Sequence, residues 1–236
     1  PFHYVESLLL SKIANITGIT DATDYALYHT EGRTFRYDVA KTKPYKANRK
    51  DQRPWHFKNL LVYIRDVLGS THVPGLEADD VLAMEHTRMR ECGEESVLVS
   101  RDKDLRQVEG RFYSYELGKQ PSFGPINITK EGSLTLSEDG KLTGTGNLFF
   151  YSQLLTGDTV DNIPGCKGVG PVKAYNILTD EEREEPLLDR VLKEYDRVYG
   201  DKGEDMMIEQ GQLLWLVRRT NEAGEPVLWY PGLEEE

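Results

Sequence analysis

The 236-residue chain has few cysteines and no long apolar run. Its two cysteines, Cys92 and Cys166, stand alone, without the spacing of a zinc or redox site. No apolar stretch approaches the ~20 residues that a membrane-spanning helix needs, and the first residues do not resemble a signal peptide. These absences exclude a disulfide scaffold and a membrane partner. They predict a protein of a reducing, cytoplasmic setting.

Positive charge is scarce overall but concentrated in one segment. The chain has 29 Lys and Arg against 40 Asp and Glu, a net charge of −11 that argues against a nucleic-acid partner. Residues 33–58, however, carry nine basic and only two acidic residues. A basic segment on an acidic body predicts binding to a phosphate backbone. The alternative interpretation is a solvated loop.

Helical and strand patterns alternate along the first part of the chain. Apolar spacing predicts helices over residues 2–16, 54–68 and 77–91, with short strands over 24–30, 96–100 and 111–116. This order predicts an α/β domain with a mainly parallel sheet flanked by helices. Residues 126–146 alternate and predict a surface hairpin or three-stranded meander. We therefore expect an α/β core over 1–147, with the hairpin as an insertion, and a helical region over 148–236.

Acidic residues form three separated clusters. They are Glu77, Asp79 and Asp80 at a predicted helix start, Asp102 and Asp104 after a predicted strand, and Asp158 and Asp161 in a loop. Like charges held close together repel, and a divalent cation relieves the repulsion; all-oxygen ligands favour Mg²⁺ or Mn²⁺ over zinc. Together the clusters predict a two-metal phosphoryl-transfer site. For the first cluster alone, attraction to the helix dipole is a sufficient explanation.

A glycine-rich turn follows the third cluster. Gly168-Val169-Gly170 directly precedes a predicted helix, so its backbone N–H groups can bind a phosphate. Such a turn suits sequence-independent contact with a DNA backbone.

Four ordered motifs resemble those of the 5′-nuclease (flap endonuclease) superfamily. They are Tyr-Lys-Ala-Asn-Arg from Tyr45, Gly-Leu-Glu-Ala-Asp-Asp from Gly75, Ser-Arg-Asp-Lys-Asp-Leu from Ser100, and Leu-Thr-Gly-Asp-x-x-Asp-Asn-Ile-Pro-Gly from Leu155 with its Gly-Val-Gly-Pro. The superfamily includes the 5′-nuclease domain of bacterial DNA polymerase I and phage 5′→3′ exonucleases, which the tail, Ile208–Leu214 and Leu228–Tyr230, resembles most. The resemblance spans about residues 25–220. It implies a PIN-like α/β fold with a helix-three-turn-helix motif over 165–178, and Mg²⁺-dependent hydrolysis near a DNA 5′ end.

The resemblance also implies roles for individual residues. Glu77, Asp79, Asp80, Asp102 and Asp104 would serve one metal ion, and Asp158 and Asp161 would complete the site of a second. The implied catalytic residues are Lys46, which would act on the scissile phosphate, Asp80 and Asp102. The implied DNA contacts are Tyr45 as a stacking platform, Lys46, Arg49, Lys50, Lys167, Gly168, Val169, Gly170 and Lys173. A K⁺ ion is expected at the Gly168–Gly170 turn. The expected substrates are duplex DNA with a 5′ end, flaps and RNA–DNA hybrids, cut by a monomer in a bacterial or virus-infected cell.

The chain departs from the family pattern in three places. The family opens with a strand carrying an Asp ahead of the helix that begins here near Phe2. Residues 1–236 hold no such strand, so we expect an N-terminal truncation. His29 or Glu31 occupies the place of a second family Asp. The short span from Lys50 to Trp55 leaves little room for a helical arch and predicts weak flap selectivity.

Two alternatives and one further expectation accompany this interpretation. The first alternative is a DNA-binding relative without catalysis. The second is a PIN-type ribonuclease, which has no reason to carry Gly165–Leu178. Aromatic residues are expected to pack rather than stack on bases, the three tryptophans included, and only Tyr45 has motif support as a stacking residue.

Overall fold

The computed structural model describes residues 1–49, 53–180 and 185–233. Its α-helices are α1 (Phe2–Thr20), α2 (Arg36–Val39), α3 (Phe57–Asp66), α4 (Ala78–Glu91), α5 (Gly146–Thr156), α6 (Pro171–Thr179), α7 (Leu187–Tyr199) and α8 (Gly203–Leu214). Short 3₁₀ helices cover Lys103–Gln107 and Gly200–Lys202. Within these described ranges, no helix is both long and apolar enough to cross a membrane.

The central sheet is small and mixed in direction. Strand β1 (Val97–Val99) pairs parallel with β2 (Gly110–Ser114), and β2 pairs antiparallel with β3 (Phe123–Ile128). Two isolated parallel bridges, Tyr28 to Thr71 and Thr34 to Gly75, add to the parallel direction. The α/β class is therefore confirmed, although parallel pairing is limited to β1–β2 and these bridges among the described residues.

Two strand predictions need correction. Residues 24–30 contribute only the isolated bridge from Tyr28 to Thr71 rather than a strand. Residues 126–128 belong to β3 of the central sheet rather than to a separate meander. The predicted hairpin is β4 (Ser133–Leu136) with β5 (Leu142–Thr145).

Apolar burial forms two clusters. One lies beneath the sheet and includes Leu98, Leu105 and Phe112, while the larger one joins α5, α6, α7 and α8. Tyr45 packs in the helical cluster although it lies in the first half of the chain, and Leu216 packs under the sheet. The domain boundary at 147/148 stays a prediction, because the packing crosses it in both directions.

A buried ion pair joins distant segments. Arg36 on α2 and Asp80 on α4 are 2% and 0% exposed, and the guanidinium donates to both carboxylate oxygens at 2.5 and 2.8 Å. Arg36 also donates to the carbonyls of Leu213 and Trp215, and Asp80 accepts from the N–H of Val217. These contacts fix the first turn of α4 against the segment that follows α8.

Candidate metal and nucleic-acid site

The carboxylates predicted as metal ligands, except Asp80, surround one cavity of about 150 Å³. The cavity lies where the residues after β1, the start of α4 and the α5–α6 loop meet. Its acidic lining comprises Glu77, Asp79, Asp102, Asp104, Asp158 and Asp161. Its cationic lining comprises Arg36, Lys46 and Arg49. The structure thus brings residues from four separate stretches of chain to one place.

The first cluster divides between the cavity and the protein interior. Glu77 caps α4 in a capping box, in which its own side chain accepts from the Asp80 N–H and Asp80 accepts from the Glu77 N–H. Asp79 faces the cavity, and burial together with the nearby carboxylates of Asp102 and Glu77 raises its pKa to about 7. The carboxylate oxygens of Asp80 instead accept hydrogen bonds from the Arg36 guanidinium and from the N–H groups of Val217 and Glu77. Asp80, which was predicted as a catalytic residue and metal ligand, does not line the cavity, and its carboxylate is buried against Arg36.

The second cluster is shaped by the short helix after β1. Asp102 is the N-cap of that 3₁₀ helix and accepts from the Asp104 N–H at 2.9 Å, which leaves its carboxylate exposed. Asp104 accepts from Gln153 Nε2 on α5 at 2.6 Å. Burial, with repulsion from Asp102 and Asp158, raises the pKa of Asp104 to about 6 despite the nearby Lys103. The pKa values of Asp79 and Asp104 are raised first by burial and then by neighbouring carboxylates, and a bound cation would offset both effects.

The third cluster sits in the α5–α6 loop. Asp158 accepts from the N–H of Val160 at 2.8 Å and from Lys103 Nζ at 2.6 Å. Burial acts to raise the pKa of Asp158, but the Lys103 ammonium and the backbone donors hold it below its usual value. Asp161 pairs with Arg49 at 2.5 Å. Both carboxylates are therefore already paired with basic side chains.

The basic motif reaches into the cavity through Lys46. Its Nζ lies 2.6 Å from Glu77 Oε1 and 3.9 Å from Asp161 Oδ2. The backbone N–H of Lys46 donates to the backbone carbonyl of Asp161. Lys46 has a φ of 57°, a left-handed conformation that is uncommon for a non-glycine residue and is often found at functional sites. Among the predicted residues, Lys46 and Arg49 are in place to meet a phosphate near the acids. Lys50 lies outside the described residues.

Tyr45 does not have the exposure that a stacking platform requires. It is 5% exposed and belongs to the helical core cluster. Its hydroxyl donates to Asp161 Oδ2 at 2.9 Å and lies 3.3 Å from Glu77 Oε2. Burial, with the carboxylates of Glu77 and Asp161, raises the pKa of Tyr45 and keeps the phenol neutral. The predicted stacking role is therefore wrong, and Tyr45 instead positions two of the acids.

The turn before α6 lies apart from the acidic cavity and presents a different surface. Gly168 has a φ of 81°, and Gly170 precedes Pro171, so the chain enters α6 with Lys167, Gly168 and Gly170 exposed. Val169 is buried in the helical core, where it anchors the turn rather than contacting solvent. On α6, Lys173 donates to Glu194 of α7 at 2.7 Å, and Glu194 also accepts from Arg197. None of the turn's residues lines the cavity of the acids.

Four site residues escaped the sequence analysis. Thr30 lines the cavity and accepts from the Ala78 N–H, whereas His29 is buried against Ser70 and Glu31 is absent from the lining. Neither residue considered for the missing Asp therefore lines the cavity. Lys103 and Gln153 each bind an acid of the site, and Arg36 holds Asp80. Only Lys103 carried a signal, since it stands between Asp102 and Asp104 in a recognised motif.

The donor set suits a hard divalent cation, but it is not yet arranged around one. All six lining acids offer oxygen, the ligand type that Mg²⁺ and Mn²⁺ prefer. Within residues 1–49, 53–180 and 185–233, however, no three His, Cys, Asp or Glu side chains are placed to hold a metal ion together. Lys46, Arg49 and Lys103 occupy carboxylate oxygens instead. The residues fit the chemistry, and metal binding would require these pairs to open.

Comparison with protein families decides the relationship. Residues 8–124 match the family model described as the 5′-3′ exonuclease, N-terminal resolvase-like domain. The chain belongs to the 5′-nuclease superfamily. This 5′-nuclease superfamily member is 28% identical over 179 residues to the DNA polymerase I of Rhizobium leguminosarum. The aligned region covers 73% of this chain and 16% of the polymerase. The chain is 29% identical over 153 residues to the flap endonuclease Xni of Shewanella halifaxensis, which covers 63% of this chain and 56% of Xni. The chain thus spans only part of these relatives.

Solved structures of phage enzymes share the fold of this superfamily member. The bacteriophage T5 flap endonuclease, solved as a complex with DNA and metal ions, superposes with a TM-score of 0.59 at 18% identity. The match covers 86% of this chain and 78% of the phage protein. The T5 5′-exonuclease with bound divalent zinc ions gives a TM-score of 0.60 at 18% identity, covering 88% and 80% of the two chains. The predicted PIN-like fold is confirmed by these likenesses.

Proposed function

We propose that this chain is a divalent-metal-dependent 5′ nuclease that hydrolyses phosphodiester bonds of DNA. The observation that carries the proposal is the convergence of six carboxylates with Lys46 and Arg49 on one cavity of a 5′-nuclease fold. Acids suit metal ions, and the two cations suit a phosphate beside them. The relatives' names, flap endonuclease and 5′-exonuclease, support the same chemistry.

Two Mg²⁺ or Mn²⁺ ions fit the proposed site. Glu77, Asp79, Asp102 and Asp104 would serve one ion, and Asp158 and Asp161 would complete the second. When bound, the ions would supply charge stabilisation for the attacking and leaving oxygens of the phosphodiester. Asp80 is left out of this set, because its contacts with Arg36 and Val217 are internal.

The chain's own cations would act on the phosphate. Lys46 lies within hydrogen-bonding distance of Glu77. A metal ion bound to the Glu77 carboxylate would free the Lys46 ammonium for a phosphate oxygen. Arg49 is half-exposed and paired with Asp161. Its guanidinium would likewise be free to bind a phosphate oxygen if a metal ion took up the Asp161 carboxylate. At a distance from the cavity, the turn Gly168–Gly170 with Lys167 and Lys173 would bind the phosphate backbone of the duplex. A K⁺ ion is proposed at the Gly168–Gly170 turn.

A cleavage assay tests the proposal. The chain is incubated with 5′-labelled blunt duplex, flap DNA and an RNA–DNA hybrid, with Mg²⁺ and separately with EDTA. We expect EDTA-sensitive release of short 5′ products, with little preference for the flap. Absence of products in both Mg²⁺ and Mn²⁺, at enzyme concentrations that bind the DNA, would contradict the proposal.

One observation favours a second candidate, a DNA-binding relative that does not cut. Four of the six lining acids are already paired with Lys46, Arg49 or Lys103. No three candidate ligands of the described residues are placed to hold a metal ion together. For such a protein, DNA binding would be unchanged by Mg²⁺ and no product would form. The cleavage assay in Mg²⁺ separates the two, because a relative that binds DNA and metal without catalysis would form no product.

A further inference from the structure

Trp55 projects into solvent to an extent that an indole seldom does. Its side chain is 93% exposed, whereas Trp215 and Trp229 are 4% and 0% exposed. Among the described residues, the next most exposed large hydrophobic is Val67 at 65%. The expectation that the tryptophans would pack is therefore wrong for Trp55. An exposed indole offers a flat apolar face that the described residues leave uncovered.

The backbone around Trp55 is anchored on both sides. The Phe57 N–H donates to the Pro54 carbonyl at 2.9 Å, which closes a turn with Trp55 at its tip. The His56 ring packs 5.6 Å from the ring of Phe2 on α1. The neighbours of Trp55 therefore hold the turn while the indole alone points outward. Such a platform loses little conformational freedom when a flat ligand binds.

The surroundings of Trp55 are cationic. Arg53 and Lys58 lie two and three residues from Trp55, in a chain whose net charge is −11, whereas Arg65 further along α3 is paired with Asp66 at 2.7 Å. The Arg53 guanidinium lies over the Phe57 ring at 4.4 Å. The Lys58 ammonium has no hydrogen bond or ion pair with any residue of the described ranges. An exposed aromatic face with Arg53 and Lys58 close to it in the sequence matches a nucleobase attached to a phosphate backbone.

Trp55 is also within reach of the acidic cavity. Six peptide units separate it from Arg49, which lines the cavity, so their Cα atoms are at most about 22 Å apart. We propose that Trp55 is a stacking platform for an unpaired base of the nucleic-acid strand whose phosphate is held at Lys46 and Arg49. The position of that strand rests on the proposed function. Stacking uses the π-face common to all bases, so recognition is independent of sequence.

Tryptophan fluorescence gives a direct test, because Trp55 is the exposed member of the three. The whole chain is titrated in EDTA with an oligothymidylate of about twelve nucleotides, a length within the usual site sizes. A parallel titration uses an abasic strand of equal length and charge. We expect quenching by the oligothymidylate and little by the abasic strand. An oligouridylate arm shows whether the platform also accepts RNA.

Binding of labelled strands, followed by anisotropy, provides the second measurement. Trp55→Ala should weaken oligothymidylate binding about five- to 100-fold without changing its salt slope, since stacking releases no counterions. Trp55→Phe should lose less, and the control Val67→Ala should bind as the unchanged chain does. Equal quenching by the abasic strand, or unchanged affinity in Trp55→Ala, would overturn the proposal. So would a fluorescence shift with anionic lipid vesicles but none with the oligonucleotide.

The outcome is independent of cleavage. Because the titrations are done in EDTA, quenching by the oligonucleotide would support the stacking platform even if the Mg²⁺ assay found no nuclease. Cleavage of DNA without quenching would leave the proposed function standing and remove Trp55 from the interface.

Discussion

Replacing Asp80 by Asn tests whether this carboxylate supports the fold or binds metal. Asp80 is 0% exposed and faces Arg36, which is 2% exposed. Asn keeps the size of the side chain but removes its charge, and its amide group would meet donors of Arg36 or the Val217 N–H. Within the part of the chain that the structure describes, the one other carboxylate paired with the guanidinium is that of Glu77, at 3.9 Å. The variant would therefore leave a buried, largely uncompensated cation.

The expected loss is large. Removing one partner of a buried ion pair costs about 3–5 kcal/mol, a substantial share of the ~5–15 kcal/mol that stabilises a typical domain. Replacing both residues, as Asp80→Asn with Arg36→Met, removes the stranded charge. The cost of the double variant should fall short of the sum of the single costs by more than about 1 kcal/mol.

Urea unfolding at neutral pH in EDTA measures these costs. Asp102→Asn is the matched control: Asn caps a helix as well as Asp, and Asp102 is exposed, so its effect should stay within about 0.5 kcal/mol. The same curves are then recorded with Mg²⁺. If Asp80→Asn unfolds like the unchanged chain in EDTA and loses only the Mg²⁺-dependent gain, Asp80 is a metal ligand and the reasoning fails.

Three further predictions follow from the charges of the structure. Burial, with Arg90 nearby, lowers the pKa of His86 to about 4, below its unfolded value. Between pH 7 and pH 5 the unfolded state binds a proton at His86 that the native state does not bind. The free energy of unfolding should therefore fall by about 2 kcal/mol over this range. Urea midpoints of His86→Gln, which should lack this contribution, check it; equal pH dependence would contradict it. Asp102→Ala should nearly abolish cleavage while strand binding stays equal or tightens, with Asp201→Ala as control; full turnover would remove Asp102 from the site. Lys173→Ala should lower the affinity for duplex DNA and reduce the salt slope of binding by about one. Glu194→Gln, which removes the partner of Lys173, should raise the affinity and the salt slope. Unchanged salt slopes in both variants would exclude α6 from the interface.

The meeting of the acidic clusters could be predicted, because residues after a sheet strand and at a helix start gather at one edge of an α/β domain. The separation of Asp79 from Asp80 could not. Neighbouring helical residues point in directions about 100° apart, so only one of the two can face the cavity. Which one does so depends on Arg36, which lies 44 residues away in the chain.

The two aromatic errors have a related cause. A motif shows that Tyr45 belongs to the site but not whether its ring faces solvent; packing against the helical cluster decides that. Trp55 lies in the stretch predicted as a helix over residues 54–68, but the observed helix begins only at Phe57. Apolar spacing and the general tendency of indoles to be buried therefore both predicted the wrong environment for Trp55. In both cases exposure is a property of the surroundings, which sequence spacing does not report.

The Arg36–Asp80 pair also bears on how the protein is made. Its guanidinium binds the carbonyls of Leu213 and Trp215, and its carboxylate binds the Val217 N–H, so the pair is complete only when residues 213–217 are in place. On a ribosome, chain synthesis proceeds from the N terminus, and these residues emerge long after α4. The first turn of α4, which carries Glu77 and Asp79, therefore takes its final position late in translation. We therefore expect the proposed nuclease activity to appear only after residues 213–217 have been synthesised.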